Sequence, residues 1–390
     1  MNTAFLIGLR FSMGKKSSAF LSFITRASIF GLMLGVIALV VVVSVMNGFD
    51  SQLKYRILGA VPHLVVDGEV KPHPLVQGSA PFLKYEAMLL SAGESRLVSV
   101  YGIDPQLESS VSIIPQHMQQ GEVTELVPGR NQIILGSALA ARFGLWSGSH
   151  GTLLIPVPSS NGETVVPRVS QISVAGTFQL NSELDYGLVL MHIDDLQRIT
   201  GDTSKQSRVT LKDIFSVNAY LAQSDGTAVS TWYDEFGDFF ETVRMEKMMM
   251  FLLLTLIVMI AAFNTVSGLS MMVKEKQAEI AVLRTMGLGK HEVTTVFVVQ
   301  GALIGLLGIT LGLALGLPLA YHVTEIVGFV ENLLGGRMLA GTYFDRVPSD
   351  VRLVDVVVIG AISLLITLAS TLYPALRAAK VDPAVALRAE

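Results

Sequence analysis

Few positions in this chain have the types and spacing for bond-making chemistry. A nucleotide-binding phosphate loop needs G-x-x-x-x-G-K-[ST], whose backbone amides cradle the phosphates. The nearest approach is Gly8 to Gly14-Lys15-Lys16. Its glycines stand one residue too far apart, and Lys16 replaces the magnesium-binding hydroxyl. It also precedes an apolar run instead of following a strand, so it is rejected. The seven histidines are His63, His73, His117, His150, His192, His291 and His322, and none forms H-E-x-x-H. Glu183 and Asp185 flank Leu184 beside a predicted turn, the pattern of solvated loop acids. There is no cysteine, which excludes disulfides and thiolate metal sites. No G-x-S-x-G supplies a nucleophile elbow. The expectation is a non-enzymatic chain with no catalytic, cofactor-binding or metal-binding residues of its own.

What remains is Lys274–Lys290, KEKQAEIAVLRTMGLGK. Its polar positions outnumber its apolar ones, yet Ile280 and Leu283 fall three apart, on one face of a helix. Gly287 and Gly289 can each adopt the left-handed conformation that ends helices. A short amphipathic helix between two apolar runs lies at a membrane surface, where a partner outside the membrane can push on it. The pattern is equally that of a solvated connector.

The elements that hold this stretch are membrane spans. The 390 residues are 51% hydrophobic and 15% charged, with mean hydropathy +0.55. A globular chain carries more charge, so the excess faces lipid. The net charge of -4 argues against a nucleic-acid partner. The reading is an α-helical membrane protein with four transmembrane helices: span 1 at 27–45, span 2 at 248–272, span 3 at 293–319 and span 4 at 354–372. Each is long enough for about 30 Å of hydrocarbon. Span 1 lacks a small-x-small cleavage site and is read as uncleaved. Gly31 and Gly35 form one G-x-x-x-G pair. Gly301, Gly305, Gly308, Gly312 and Gly316 make a stripe that predicts a close helix contact along span 3. Asn264, inside span 2, is expected to face another helix. No span has an Asp, Glu, Lys or Arg at its centre, which argues against ion- or proton-coupled transport.

Lys and Arg set the sidedness. Eleven lie in the 1–26 segment, the 273–292 loop and the 373–390 tail. Both termini and that loop are therefore placed in the cytoplasm, with 46–246 and the shorter polar loop 320–352 outside. Residues 46–246 shorten their apolar runs to strand length. His63–Val66, Arg96–Val100, Gln132–Leu135, Thr152–Val157, Ser170–Gly176, Gly187–His192 and Ser216–Leu221 read as strands. Ser137–Phe143 and Asp194–Ile199 read as helices. This is a large mixed α/β domain inserted between spans 1 and 2, with enough residues for its own core.

The motif K-E-K-x-x-E-I-A-V-L-R-T-M-G resembles the loop after the second span in FtsX/MacB-type ABC-transporter permeases. Ile7-Gly8-Leu9-Arg10-Phe11, Ser44-Val45-Met46-Asn47-Gly48-Phe49, Tyr373–Ala379 and Asp382-Pro383-Ala384 narrow the resemblance. They are similar to the LolC/LolE membrane subunits of the bacterial lipoprotein-releasing transporter. The resemblance implies that Lys274, Glu275, Glu279, Ile280, Leu283, Arg284, Met286 and Gly287 form a coupling helix docked on a separate ATPase. It implies a two-lobed periplasmic domain, with a split base and a β-rich insertion near 103–208, on an inner-membrane protein. Its implied partners are two ATPase copies carrying the ATP and magnesium, a homologous membrane subunit, a lipoprotein and a periplasmic carrier. The short Pro156–Pro167 segment leans toward the LolE type.

Acyl chains call for an apolar site open to the outer leaflet. Span 1 emerges there through Val43, Met46 and Phe49, continuing as an amphipathic helix with Leu53 and Ile57. Span 2 enters through Met248, Met249 and Phe251. These eight form the candidate lipoprotein cleft, where membrane lipid is the other neighbour. The same residues can instead simply pack the two spans together. Two other functions stay open: a mechanotransmission permease acting on another substrate or on a cell-wall hydrolase, and a membrane-anchored enzyme or receptor.

Overall fold

The computed structural model describes residues 19–158, 165–223, 228–334 and 346–380. The chain opens with α1 (Ala19–Leu58). There follow β1 (Leu64–Asp67), β2 (Val76–Ser91), β3 (Glu94–Ile103), α2 (Glu108–Val111), β4 (Met118–Gln120) and β5 (Gln132–Gly136). Next are α3 (Ser137–Phe143), β6 (His150–Pro158), β7 (Val165–Phe178), β8 (Leu188–His192) and α4 (Ile193–Thr200). Then come β9 (Gln206–Leu211), α5 (Val217–Gln223), β10 (Ala228–Thr231), α6 (Trp232–Glu275) and α7 (Gln277–Thr285). The last helices are α8 (Lys290–Tyr321), α9 (Val323–Leu334) and α10 (Leu353–Ala378). Of the described residues, those up to Asp50 and from Val243 onward form one compact unit, and Ser51–Thr242 form the other.

Among the described residues, four helices are long and apolar enough to cross a bilayer: α1, α6, α8 and α10. Small residues on α8 let its neighbours close in. A Cβ on Gly301 would stand 2.1 Å from Thr371 Cγ2 of α10, and one on Gly308 would stand 3.0 Å from Leu32 of α1. The stripe serves both partners: Gly305 faces Thr367 of α10, while Gly312 and Gly316 face Val36 and Val40 of α1. Gly35 rests against Val258 of α6, and Gly31 makes only ordinary contact with Ala261. Leu32, Val36, Leu39, Val258, Ile309 and Ile359 are at the centre of this core.

Two expectations change in this unit. Among the described residues, no other helix of this chain covers Asn264. It shares an exposed face of α6 with Ile260 and Phe263, while Ala261, Ala262 and Thr265 turn inward. The 320–352 loop is not simply polar, because α9 occupies its first part. The expected helical continuation of span 1 is present: α1 runs to Leu58 without a break.

The second unit holds a mixed sheet in the order β10-β1-β9-β2-β3-β8-β5-β7-β4, with β6 pairing to β2 and β7. β2 joins the two parts. Val76–Pro81 pairs with β9 and Phe82–Ser91 pairs with β3. β2, β9 and β10 stand outside the strands expected from the sequence. Ser216–Leu221, expected as a strand, falls mainly in α5, where Val217 and Tyr220 bury at helical spacing. Asp213 accepts from the amide of Phe215 just before it.

Leu53 and Ile57, at the end of α1, belong to this unit's core, Ile57 being buried with Phe82, Tyr101 and Phe178. Just beyond, a buried ion pair joins Arg208 of β9 to Glu108 of α2 at 2.9 Å. Arg208 also donates to Ala60 O at 3.0 Å and Val111 O at 3.3 Å. His63 Nδ1 accepts from the amide of Leu211 at 2.9 Å, and its Nε2–H donates to Leu58 O at 3.1 Å. Burial holds the His63 pKa down to about 4, against the Leu58 hydrogen bond, which raises it; nearby Arg208 lowers it further.

Candidate functional site

The 274–290 stretch folds as a short helix clamped on one side. α6 ends at Glu275, Lys276 leaves helical geometry, and α7 runs from Gln277 to Thr285. Ile280 is 2% exposed and Ala281 fully buried. Ile280 packs with Val273, Val293, Phe297, Ala375 and Ala378, so α6, α7, α8 and α10 share one small core. Leu283 is half-buried on the same side. Only one of the two glycines is left-handed. Gly287 has φ +107°, whereas Gly289 has φ −72° and precedes α8, its amide donating to Glu292 Oε2 at 2.9 Å. A residue ahead of a helix needs extended backbone, not the left-handed region.

The other side of α7 faces outward. Lys274, Glu275, Glu279, Met286 and Gly287 are exposed. Glu279 pairs with Lys276 and Arg284 is half-buried with a partner, so neither charge waits unattended. The exposed apolar residues here are Met286, already among the implied coupling residues, and Val282, which the sequence did not single out. Val282 and Met286, one turn apart, are 46% and 80% exposed.

At the other end of the first unit, Val43, Met248 and Phe251 converge on one cleft with Arg244, Lys247, Asp355, Val358 and Ile359. Its volume is about 290 Å³. That is the lower edge of the ~300–1,000 Å³ typical of small-molecule sites. Val43 is buried, Phe251 half-buried and Met248 exposed. Met46 and Phe49 are half-buried and Met249 is exposed, but none of them lines this cleft. Leu53 and Ile57 are in the core of the other unit.

The cleft's polar edge is ordered by Asn47, which is fully buried. Its Nδ2 donates to Asp355 Oδ2 at 2.5 Å and to Asp350 O at 3.3 Å, and its Oδ1 accepts from Lys247 Nζ. Gly48 lets the chain close on Pro348, whose carbonyl carbon would lie 2.6 Å from an added Cβ. This gives Asn47-Gly48 a physical reason. One side chain ties α1, α6 and α10 together, and the absence of another permits the approach. Single-residue patterns missed Arg244, Lys247 and Asp355, because their meeting depends on three distant helices.

A multi-pass membrane chain with a large folded insertion and a clamped loop helix is the class these features define. The FtsX-like permease C-terminal model matches residues 251–383, and the MacB-like periplasmic core domain model matches residues 25–226. The chain is 39% identical to the lipoprotein-releasing system transmembrane protein LolC of Neisseria meningitidis, covering 98% of both chains. It is 35% identical to LolC of Xylella fastidiosa, again over 98% of each. It is 30% identical to the lipoprotein-releasing system transmembrane protein LolE of Haemophilus influenzae, over 99% of each. The chain belongs to the LolC/LolE family of FtsX-like, MacB-like permeases. Relatives under both names match end to end, so the leaning toward the LolE type is left undecided. Residues 159–164 of the short segment behind it lie outside the described residues.

Proposed function

We propose that this chain is a membrane subunit of a lipoprotein-releasing ABC machine in the inner membrane. The end-to-end similarity to proteins of that name carries the reading. In it, both termini and α7 are cytoplasmic, and α7 docks on a separate ATPase present in two copies. That ATPase holds the ATP and magnesium. The outward Val282 and Met286 support this, since a surface worth pushing on needs apolar anchors. A homologous second membrane subunit completes the cleft, because one chain encloses too little volume for a multiply acylated lipoprotein. The apolar walls take acyl chains, at about 0.8 kcal/mol per buried methylene. Arg244 and Lys247 stand at headgroup level. Tight holding is the reason release needs ATP.

The same reading gives the outer domain a carrier to meet. Leu97, Met88, Leu154 and Val169 are cross-strand neighbours on β3, β2, β6 and β7. Leu97, Met88 and Val169 are exposed, as are Val165 and Val166 toward the hairpin tip. A continuous apolar row on a sheet face suits a carrier that shields lipid.

Met248 is exposed and lines the cleft, so Met248→Asp places a charge there without emptying a core. We expect the variant, and Val358→Asp on the facing helix, to assemble with the ATPase yet purify without lipoprotein. Lipoprotein at the wild-type level in both would move the cleft elsewhere. A wild-type complex with ATPase but no lipoprotein would favour a mechanotransmission permease with another task.

A further inference from the structure

The first part of the 320–352 loop carries a surface that the permease reading leaves unused. On a helical wheel, Val323, Ile326, Val327, Phe329, Val330, Leu333 and Leu334 of α9 fall on one side. Thr324, Glu325, Gly328, Glu331 and Asn332 fall on the other. In a protein surrounded by water the apolar side turns inward. Here none of the twelve residues is buried, and Phe329 and Leu333 are 69% and 75% exposed. The polar side supplies the ties to the protein, although Glu325 and Asn332 on it are exposed: Thr324 donates to Val347 O at 2.6 Å, and Glu331 is half-buried with a partner. A helix built inside-out in this way has an apolar medium on its outer side.

We propose that α9 is an in-plane membrane helix. Its apolar face rests in the headgroup–acyl boundary of the leaflet on the opposite side of the membrane from α7. Continuity identifies lipid as the occupant. Leu307, Leu311, Ala314 and Pro318, spaced three or four apart along α8, are exposed on one lipid-facing line that leads to Tyr321. An amphipathic ring at the end of a span is where interfacial aromatics stand. The backbone leaves helical geometry at His322, with φ −101° and ψ 10°, and α9 begins at the next residue. α9 has no Lys or Arg, only Glu325 and Glu331. Its binding therefore comes from apolar burial and needs no anionic lipid. The inference requires α8 to span the membrane and is independent of the transported substrate.

The chain has no cysteine, so one introduced thiol is a unique reporter. Phe329→Cys, Leu333→Cys and Asn332→Cys replace unburied side chains and leave every core intact. Each full-length variant, nitroxide-labelled in nanodiscs of zwitterionic phospholipid, is probed by collision with oxygen, which concentrates in lipid, and with a nickel chelate, which stays in water. Labels at 329 and 333 should show an oxygen-to-nickel ratio several-fold above that at 332, and added anionic lipid should leave it unchanged. Free nickel access at 329 and 333 would put the face in water and overturn the proposal. Protection from both reagents would put protein over it, a second subunit included, and overturn it equally.

Discussion

The coupling role of α7 can be tested through its two faces, which make opposite predictions. Met286 is 80% exposed in the single chain. Burying a whole methionine side chain is worth about 1.5–3 kcal/mol. If the ATPase covers what is exposed, truncation to Ala forfeits about 1–2 kcal/mol of binding, roughly a 5- to 30-fold weaker Kd. Nothing inside the chain depends on Met286, so thermal unfolding should stay where it was. Ile280, at 2% exposure in the small core with Val293 and Phe297, behaves the other way. Ile280→Ala should cost about 2–5 kcal/mol locally, loosening the loop itself. The assay is titration of the purified ATPase onto the full-length chain in nanodiscs, alongside unfolding of each variant. Wild-type affinity in Met286→Ala, within a factor of about two, would refute the outward face as the docking surface. Equal destabilisation by both substitutions would refute the assignment of inner and outer faces.

The glycine stripe and the buried histidine give two further tests. Gly301→Ala drives a Cβ to 2.1 Å from Thr371 Cγ2, so it should cost about 1–3 kcal/mol of thermal stability in detergent. Thr371→Ala in the same chain should recover part of that loss; an undiminished loss would show that the α8–α10 contact is not tight there. His63 is held to a pKa of about 4, below the ordinary value near 6.5. Its neutral form stabilises the fold above pH ~6.5, and that stability is lost as pH falls toward 4, by up to about 3 kcal/mol. The pH dependence of unfolding should therefore be shallower between pH 4 and 6.5 in His63→Asn, whose carbonyl can still accept from Leu211; an identical profile would exclude His63 as the titrating group.

The sequence carried the membrane architecture because lipid is a uniform partner. An apolar run of the right length needs no knowledge of the rest of the chain, and four such runs became α1, α6, α8 and α10. The glycine stripe was legible for the same reason: small residues at helical spacing state that something comes close. The pattern did not state what comes close. Gly301 and Gly305 meet α10, while Gly308, Gly312 and Gly316 meet α1, a division set by where two distant helices lie. The burial of Ile280 followed from spacing, but the outward prominence of Val282 and Met286 needed the packed loop.

Where several elements share a site, periodicity along one of them runs out. Asn47 could be noted in a motif, but its bonds to Lys247 and Asp355 join residues some 200 and 308 positions away. Leu53 and Ile57 have the right pattern for a cleft, yet the continuing helix carries them into the core of the other unit. Asn264 reads as an interior amide, and tertiary packing turns the opposite face of its helix inward. Ser216–Leu221 alternates like a strand, while the sheet is completed by β9 and β10 and leaves that stretch to coil as α5. The amphipathic pattern of α9 is present in the residues, but only the fold shows Thr324 bonded to the protein and Phe329 and Leu333 bare. Local sequence sets which faces a segment can bury. Which face is buried depends on the total area covered when all the elements pack, and that sum exists only in the tertiary structure.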